Sequence, residues 1–419
     1  MIQFILPVII LLTGLSAIPS AYATEKNSSE SIQEEITKEI TRDREQEASE
    51  DPLSQRQSDK TDNPALYEIK PNRFTLYGSL RLRYRETQVD SIIGDGGTRL
   101  GADGAYQFVP NYWLLGRLES GFKLFDNLDQ ILDPGGQGEG FLSNDVFLRL
   151  AYVGIEFPKA FLTYGKSWST YYQVASFTDR FQGTGAGASG TFNADTDGGP
   201  SGTGRADKVW QTRIQIAHPW GPVAHLKPFS VNLQYQAGEK IPHARESHYK
   251  YTFGASAIVE RTDNLKTGIA FNYAAVDKND LPRLRLRGID GDGVALLVGA
   301  QWFGEKWYAA TVFSWLDNHM ATTNAIYFDA WGSEGYGHYH IFEKIWLVGG
   351  WNYLTPRSGE TQAGEYILKY AVLGLRYTFK DFQRMIYANI RFDKSHLSSI
   401  EDQSIGNTYT IGVRWDFDW

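Results

Sequence analysis

From Phe74 onward, apolar and polar positions alternate with a period of two. The last twelve residues show it without a break. Tyr409, Ile411, Val413, Trp415, Phe417 and Trp419 share one parity; Thr410, Gly412, Arg414, Asp416 and Asp418 share the other. Period two is the signature of a β-strand, whose side chains point to opposite faces in turn. The pattern recurs over Phe74–Arg85, Phe229–Gln236, Thr267–Ala275, Leu373–Phe379 and Ile386–Asp393. It predicts strands near 74–88, 97–108, 112–125, 142–157, 159–166, 207–217, 227–237 and 248–261. A second set is predicted near 264–277, 289–303, 305–317, 323–332, 341–354, 364–379, 382–394 and 406–419. The segments 142–157, 305–317 and 323–332 alternate poorly. Phe157-Pro158-Lys159, Arg261-Thr262-Asp263-Asn264, Phe303-Gly304-Glu305 and Phe379-Lys380-Asp381 read as tight turns, with long polar stretches between them.

A strand with one apolar, aromatic face and one charged face suits a wall between lipid and water. A soluble sandwich or β-helix would show the same period, since periodicity does not distinguish inside from outside. The ends of the chain favour the membrane. Phe4 to Ala17 is an apolar stretch, and Ala21-Tyr22-Ala23 follows as a small-x-small cleavage pattern, so residues 1–23 read as a secretory signal. The stretch is short for a spanning helix. After Ala23 no apolar run of about 18 residues exists, and a closed barrel is then the structure left that can cross a bilayer. The expected fold is all-β: a transmembrane antiparallel up-and-down barrel of about 16 strands. An even number returns both chain ends to one side.

Composition fits. There are 12 Trp, 24 Tyr and 23 Phe, suited to interfacial girdles. Cysteine is absent, which excludes disulfides and thiolate chemistry. The formal charge of −8 is uneven. Residues 24–71 hold 13 acids and 7 bases, while 72–419 hold 36 and 34. The first stretch reads as an acidic periplasmic extension with a helix near 31–48, opened by Ser31-Ile32-Gln33-Glu34 as a capping box. Ile32, Ile36 and Ile40 share a helical face, but Asp43 and Glu47 break any heptad seam. Residues 72–419 form the barrel.

The longest insertion, Ser167 to Gly204, is rich in Gly, Ser, Thr and Asp. A barrel of this size has a lumen that side chains alone do not fill. A loop folded inward would narrow it and present Asp179, Asp195 and Asp197. Arg81, Arg83, Arg85, Arg99, Arg117 and Arg149 come from the first strands, most on the lumen parity, and Arg205 follows the insertion. Arginines facing carboxylates would set a transverse field across the passage.

These residues resemble a family, the general non-specific porins of Gram-negative outer membranes, over about 74–419. Tyr77-Gly78-Ser79-Leu80 is similar to the family's first strand and Thr98-Arg99-Leu100-Gly101 to its second. Leu148-Arg149-Leu150-Ala151-Tyr152-Val153-Gly154 is similar to its fourth. Thr163-Tyr164-Gly165-Lys166 with Phe177-Thr178-Asp179 resembles the start of its inward-folded third loop, and Gly204-Arg205-Ala206-Asp207-Lys208 the loop's end. The resemblance implies constriction arginines at Arg99, Arg149 and Arg205, with Arg81 or Arg83 beside them, and a loop acid at Asp179. Arg180-Phe181-Gln182-Gly183 departs from the family's second acid, a role open to Asp195 or Asp197. It further implies a homotrimer in outer-membrane lipid and lipopolysaccharide, passing ions and small hydrophilic solutes.

Other patterns carry less. Asp195-Thr196-Asp197-Gly198 and Asp290-Gly291-Asp292-Gly293 lack the bidentate Glu of a Ca²⁺ loop and read as turns. His338-Tyr339-His340 would need a third ligand to hold Zn²⁺ and reads as a loop pair. No catalytic motif, cofactor site, metal site or nucleic-acid patch is expected. The expected function is a passive-diffusion channel; the alternative is a substrate-specific channel for a sugar or an anion.

Overall fold

The computed structural model describes residues 72–88, 90–123, 146–183, 185–216, 229–244, 246–262, 264–379, 384–397 and 406–418. The leader, the 24–71 extension with its helix at 31–48, and Trp419 lie outside the described residues. The strands are β1 Arg73–Glu86, β2 Ser91–Asp95, β3 Thr98–Val109, β4 Tyr112–Phe122, β5 Val146–Phe157 and β6 Ala160–Trp168. They continue as β7 Arg205–Ile216, β8 Phe229–Ala237, β9 Tyr249–Thr262, β10 Leu265–Val276, β11 Gly293–Phe303 and β12 Trp307–Ala321. The last are β13 Tyr327–Phe342, β14 Ile345–Pro356, β15 Leu368–Thr378, β16 Arg384–Asp393 and β17 Thr408–Asp418.

Successive strands pair antiparallel, and β1 closes on β17 through Tyr77 opposite Asp418 to Glu86 opposite Tyr409. Both β2 and β3 lie against β1, above and below a break at Gly96–Gly97, so they fill one position. The barrel is therefore closed with sixteen positions. Closure leaves no sheet edge unpaired, the condition for crossing lipid with strands. The turns at 110–111, 158–159, 304–306 and 343–344 lie at the end where β1 starts and β17 finishes; residues 169–204 lie at the other.

Alternation is realised as expected in β17: Tyr409, Val413 and Trp415 are exposed, while Thr408, Thr410, Arg414 and Asp416 are buried. The same outward parity carries Trp210, Trp302, Trp331 and Trp351. That is the apolar band with aromatics of a membrane barrel.

Two expectations are corrected. The strand expected at 323–332 is Tyr327–Phe342, and the next starts at Ile345, so the turn is at 343–344. His338 and His340 therefore sit on β13 rather than in a loop. Apolar residues on both faces hid this strand. Tyr336, Ala330 and Phe328 are buried inside as thoroughly as Trp331 is exposed outside. In β5 the weak alternation has another cause. Glu119 pairs with Leu150 and Ser120 with Leu148, which leaves Arg149 as the extra residue of a bulge. A bulge re-aims a side chain.

Candidate functional site

Residues 169–204 leave the wall at Trp168 and rejoin it at Arg205. The base is tied by Ser169 N donating to Gly204 O at 2.8 Å and Arg205 N to Asp197 O at 3.0 Å. A single helical turn, Tyr172–Ala175, follows. Trp168 stacks on Tyr172 with ring centroids 4.0 Å apart. Tyr171 Oη donates to Ser189 O at 2.6 Å, drawing the segment back on itself. Burial first, and the Glu334 carboxylate second, push the Tyr171 phenol well above its ordinary pKa, so it keeps the proton that this bond needs.

The segment is not merely polar. Tyr171, Val174, Phe177, Phe181 and Phe192 form one apolar cluster with inward side chains of the wall, including Leu297, Val312, Leu316 and Val348. Burial of apolar groups against the inner wall drives docking at about 25 cal/mol per Å².

Hydrogen bonds then fix its position. From β13, Glu334 Oε1 accepts from Ala188 N at 2.7 Å and Ser189 N at 2.6 Å, and Oε2 accepts from Thr178 Oγ1 at 2.7 Å. From β14, Asn352 Oδ1 accepts from Gly187 N at 2.8 Å. From β12, Ser314 Oγ donates to Ala188 O at 2.7 Å. Further round, β15 reaches Arg180 O through Arg376, β16 reaches Gln182 O through Asn389, and β1 reaches Gly183 O through Arg85. On the other side β8 holds Gly202 O through Gln234 at 2.6 Å, and β10 holds Ser201 O through Asn272 at 2.8 Å. The contacts thus run from β8 round to β1, all on the face opposite the exposed apolar side chains. Gly332 on β13 makes room: a Cβ there would lie 1.9 Å from Ala188 O.

Arginines gather on the inward parity of β16, β17, β1, β3 and β5, an arc that overlaps the end of the anchoring strands. Arg81, Arg83 and Arg85 alternate along β1, with Arg99 on β3, Arg149 on β5, Arg391 on β16 and Arg414 on β17. Arg81 and Arg414 are directly opposite in register. Like charges this close persist where acids or hydrogen bonds compensate them. Arg414 Nε donates to Asp416 at 2.9 Å, and Arg391 pairs with Asp393. Arg81 Nε donates to Ser79 Oγ at 2.8 Å. Arg149 Nε lies 2.6 Å from Glu119 Oε1, whose Oε2 accepts from Tyr77 Oη at 2.9 Å.

The sequence-predicted arginines Arg81, Arg83, Arg99, Arg149 and Arg205 are all buried. The predicted acids separate. Asp197 lies 3.5 Å from Arg205 Nε and 3.6 Å from Lys166 Nζ, at the loop's end. Asp195 lies 3.6 Å from His243 Nε2 in the loop between β8 and β9. Asp179 is buried and accepts from Tyr172 Oη at 2.9 Å. Sequence reasoning missed Glu119, Glu334 and Asn352. Each stands on the inward parity of its strand, which could have flagged Glu119 and Asn352 but not Glu334, whose position lies outside every predicted strand. Among the described residues no cluster of three or more His, Cys, Asp or Glu is arranged to hold a metal.

No protein-family model matches the chain, and no curated protein matches it in sequence. Solved structures do match. A Salmonella typhi OmpF in complex with daunomycin superposes with a TM-score of 0.67 at 19% identity, covering 83% of this chain and 98% of that one. An anion-selective porin from Comamonas acidovorans matches with a TM-score of 0.59 at 13% identity, over 83% and 100%. The outer membrane channel DcaP of Acinetobacter baumannii matches with a TM-score of 0.57 at 12% identity, over 83% and 97%. The barrel thus has the porin fold, an outer-membrane type.

Proposed function

We propose that this chain forms a water-filled outer-membrane channel for passive diffusion of ions and small hydrophilic solutes, narrowed by residues 169–204 against the arginine arc. One observation carries the reading: that segment is anchored by hydrogen bonds from β8 round to β1. A segment held on those strands leaves solute the arc from β2 to β7, which bears Arg99 and Arg149, with Arg81 at its edge on β1. Asp179 and Asp197 supply the loop's acids beside it, with Asp195 further toward the loop end. Diffusion needs no bond chemistry, hence no catalytic residue and no cofactor. The acidic extension at 24–71 is an appendage to the pore, and the barrel works as a homotrimer, the assembly named for one porin-fold neighbour, an outer membrane protein of Vibrio cholerae.

A preference for anions has its own support. Among the described residues eight arginines are buried against six carboxylates. In a confined passage, fixed charge selects the opposite ion. The Comamonas neighbour is itself described as anion-selective. Planar-bilayer conductance with reversal potentials in a salt gradient tests both readings. A conducting, anion-favouring channel is the expected result. Absence of conductance from folded protein would refute the channel, and cation preference would refute the second reading alone.

A further inference from the structure

Two sequence features stand apart from the arginine arc: the histidine pair of β13, and Arg180 in the stretch that departs from the porin pattern. The fold brings them together. His338 and His340 lie on the inward parity of β13, with Glu334 and Tyr336. His338 is opposite Tyr308 of β12 on one side and Val348 of β14 on the other, and His340 is opposite Trp346. The turn at 343–344 follows, so the cluster lines the lumen at the end away from Trp168 and Arg205, where 169–204 leave the wall.

The rings form a continuous run. His338 stacks on Tyr308 with centroids 5.5 Å apart and meets Trp346 edge-on at 5.1 Å, and Trp346 stacks on His340 at 4.3 Å. Tyr308 and Tyr336 are buried, whereas the two imidazoles and the indole are half-buried and keep some surface open. Residues 177–181 close over one end of this run. Tyr308 Oη donates to Phe177 O, Phe181 packs edge-on against Tyr336 at 4.8 Å, and Arg376 of β15 donates to Arg180 O at 3.4 Å. Arg180 is thereby fixed with its guanidinium carbon 4.1 Å from the Tyr308 ring centre.

Among the described residues, Arg180 Nε is buried without a hydrogen-bond partner, and no carboxylate pairs with this guanidinium. The charged groups acting on His338 are Arg376 and Arg180, both cations. Acids on the same inward wall are engaged elsewhere: Glu334 with three donors of 169–204, and Glu260 with Lys266 Nζ at 3.1 Å. A buried N–H without an acceptor is costly and uncommon. The Tyr308 ring face attracts the charge but leaves the in-plane N–H groups to be filled. A carboxylate fits them, since its two oxygens match the guanidinium fork. A bare inorganic anion would use the charge and leave the rings idle. A neutral sugar would need acceptors as well as donors. His338 and Trp346 offer flat apolar surface near the guanidinium, which suits another planar ring.

We propose that this cluster is a subsite for aromatic carboxylates inside the lumen, with Arg180 holding the carboxylate and His338 and Trp346 contacting the ring. It names a solute class for the anion-favouring channel and rests on that reading for access, though not for binding. The test uses the folded full-length protein in detergent. Binding of benzoate, cyclohexanecarboxylate, acetate and benzyl alcohol is measured by saturation-transfer NMR titration, and chloride conductance is measured in planar bilayers with and without benzoate. Cyclohexanecarboxylate lacks the flat ring, acetate lacks any ring, and benzyl alcohol lacks the charge. We expect benzoate to bind and to reduce the chloride current, and each of the other three to bind about tenfold more weakly. Arg180→Gln should weaken benzoate about tenfold, equivalent to 1.4 kcal/mol. Arg180→Lys should recover part of that loss, since it keeps the charge without the fork. Arg180 lies outside the strand ladder, so the barrel forms without it; Trp346→Leu keeps an apolar side chain and should also weaken benzoate. Benzoate held no more tightly than acetate or cyclohexanecarboxylate would overturn the aromatic class. Undiminished benzoate binding in both Arg180→Gln and Trp346→Leu would overturn the site. Chloride conductance without benzoate binding would remove the subsite and keep the channel, whereas benzoate binding with these preferences in a barrel that conducts nothing would do the reverse.

Discussion

Replacing Glu334 isolates what holds 169–204 in place. Its carboxylate accepts three hydrogen bonds from the segment: Ala188 N and Ser189 N at Oε1, and Thr178 Oγ1 at Oε2. Glu334→Ala leaves those donors without their partner. A hydrogen bond to a charged group contributes about 1.5–3 kcal/mol. Taking the two amides at the low end, because water in the lumen can reach part of the gap, docking weakens by about 3 kcal/mol. That is a shift of roughly a hundredfold in the docked-to-free ratio. Glu334→Gln is the decisive control. Its amide oxygen still accepts from both amides, and its NH₂ can donate to Thr178 Oγ1. We expect the alanine variant to show larger or flickering conductance and faster hydrogen exchange at residues 186–190, with the glutamine variant close to wild type. Thermal unfolding should change little in either, since the strand ladder holds the barrel. Unchanged conductance and unchanged exchange in Glu334→Ala would refute the anchoring argument. A glutamine variant as disturbed as alanine would mean that charge, not acceptor geometry, does the holding.

Neutralising Arg99, Arg149 and Arg205 together should move the reversal potential toward cations, since each charge at about 5 Å is worth roughly 1–3 kcal/mol to a passing ion; an unmoved potential would place them off the path. Deleting 184–199 should raise single-channel conductance, and an unchanged value would put the segment outside the conduction route. Gly332→Val should disturb docking by about 1–3 kcal/mol through overpacking against Ala188 O; wild-type exchange rates at 186–190 would contradict the close approach. The mature chain should begin at Thr24, checked by intact mass, and a chain with its signal joined near Asn72 should still insert and conduct.

Much of the barrel was legible in the sequence because lipid and water impose opposite demands on alternate residues. The final strand, with Tyr409, Val413 and Trp415 outside and Thr410, Arg414 and Asp416 inside, needed nothing else. The inward placement of Arg81, Arg83 and Arg414 was legible for the same reason, since each is a polar residue on an alternating strand. The anchors were not. Glu334 and Asn352 act on backbone groups of 169–204, and no local pattern announces a contact about 150 residues away. The apolar residues of that segment were hidden too. Tyr171, Val174, Phe177, Phe181 and Phe192 have no regular period, because the single turn Tyr172–Ala175 is too short to impose one.

The strands that alternated poorly carry the most information about the lumen. On β12 and β13 the inward positions Val312, Leu316, Phe328, Ala330 and Tyr336 are apolar and buried, like Leu297 on β11 and Val348 on β14. The outward positions Phe313 and Trp331 are apolar and exposed. With both faces apolar, period two fades. The inward apolar face exists because residues 169–204 cover it and exclude water. On β1, β16 and β17 the inward face keeps its arginines, and there alternation is clear. Loss of alternation in one half of a barrel therefore marks where an interior segment docks, and its persistence on β1 and β17 marks a wall that keeps a charged inner face. The prediction that Arg99 lines the passage follows from this division of the wall as much as from its charge, whereas that for Arg149 rests on the bulge that sets it opposite Glu119.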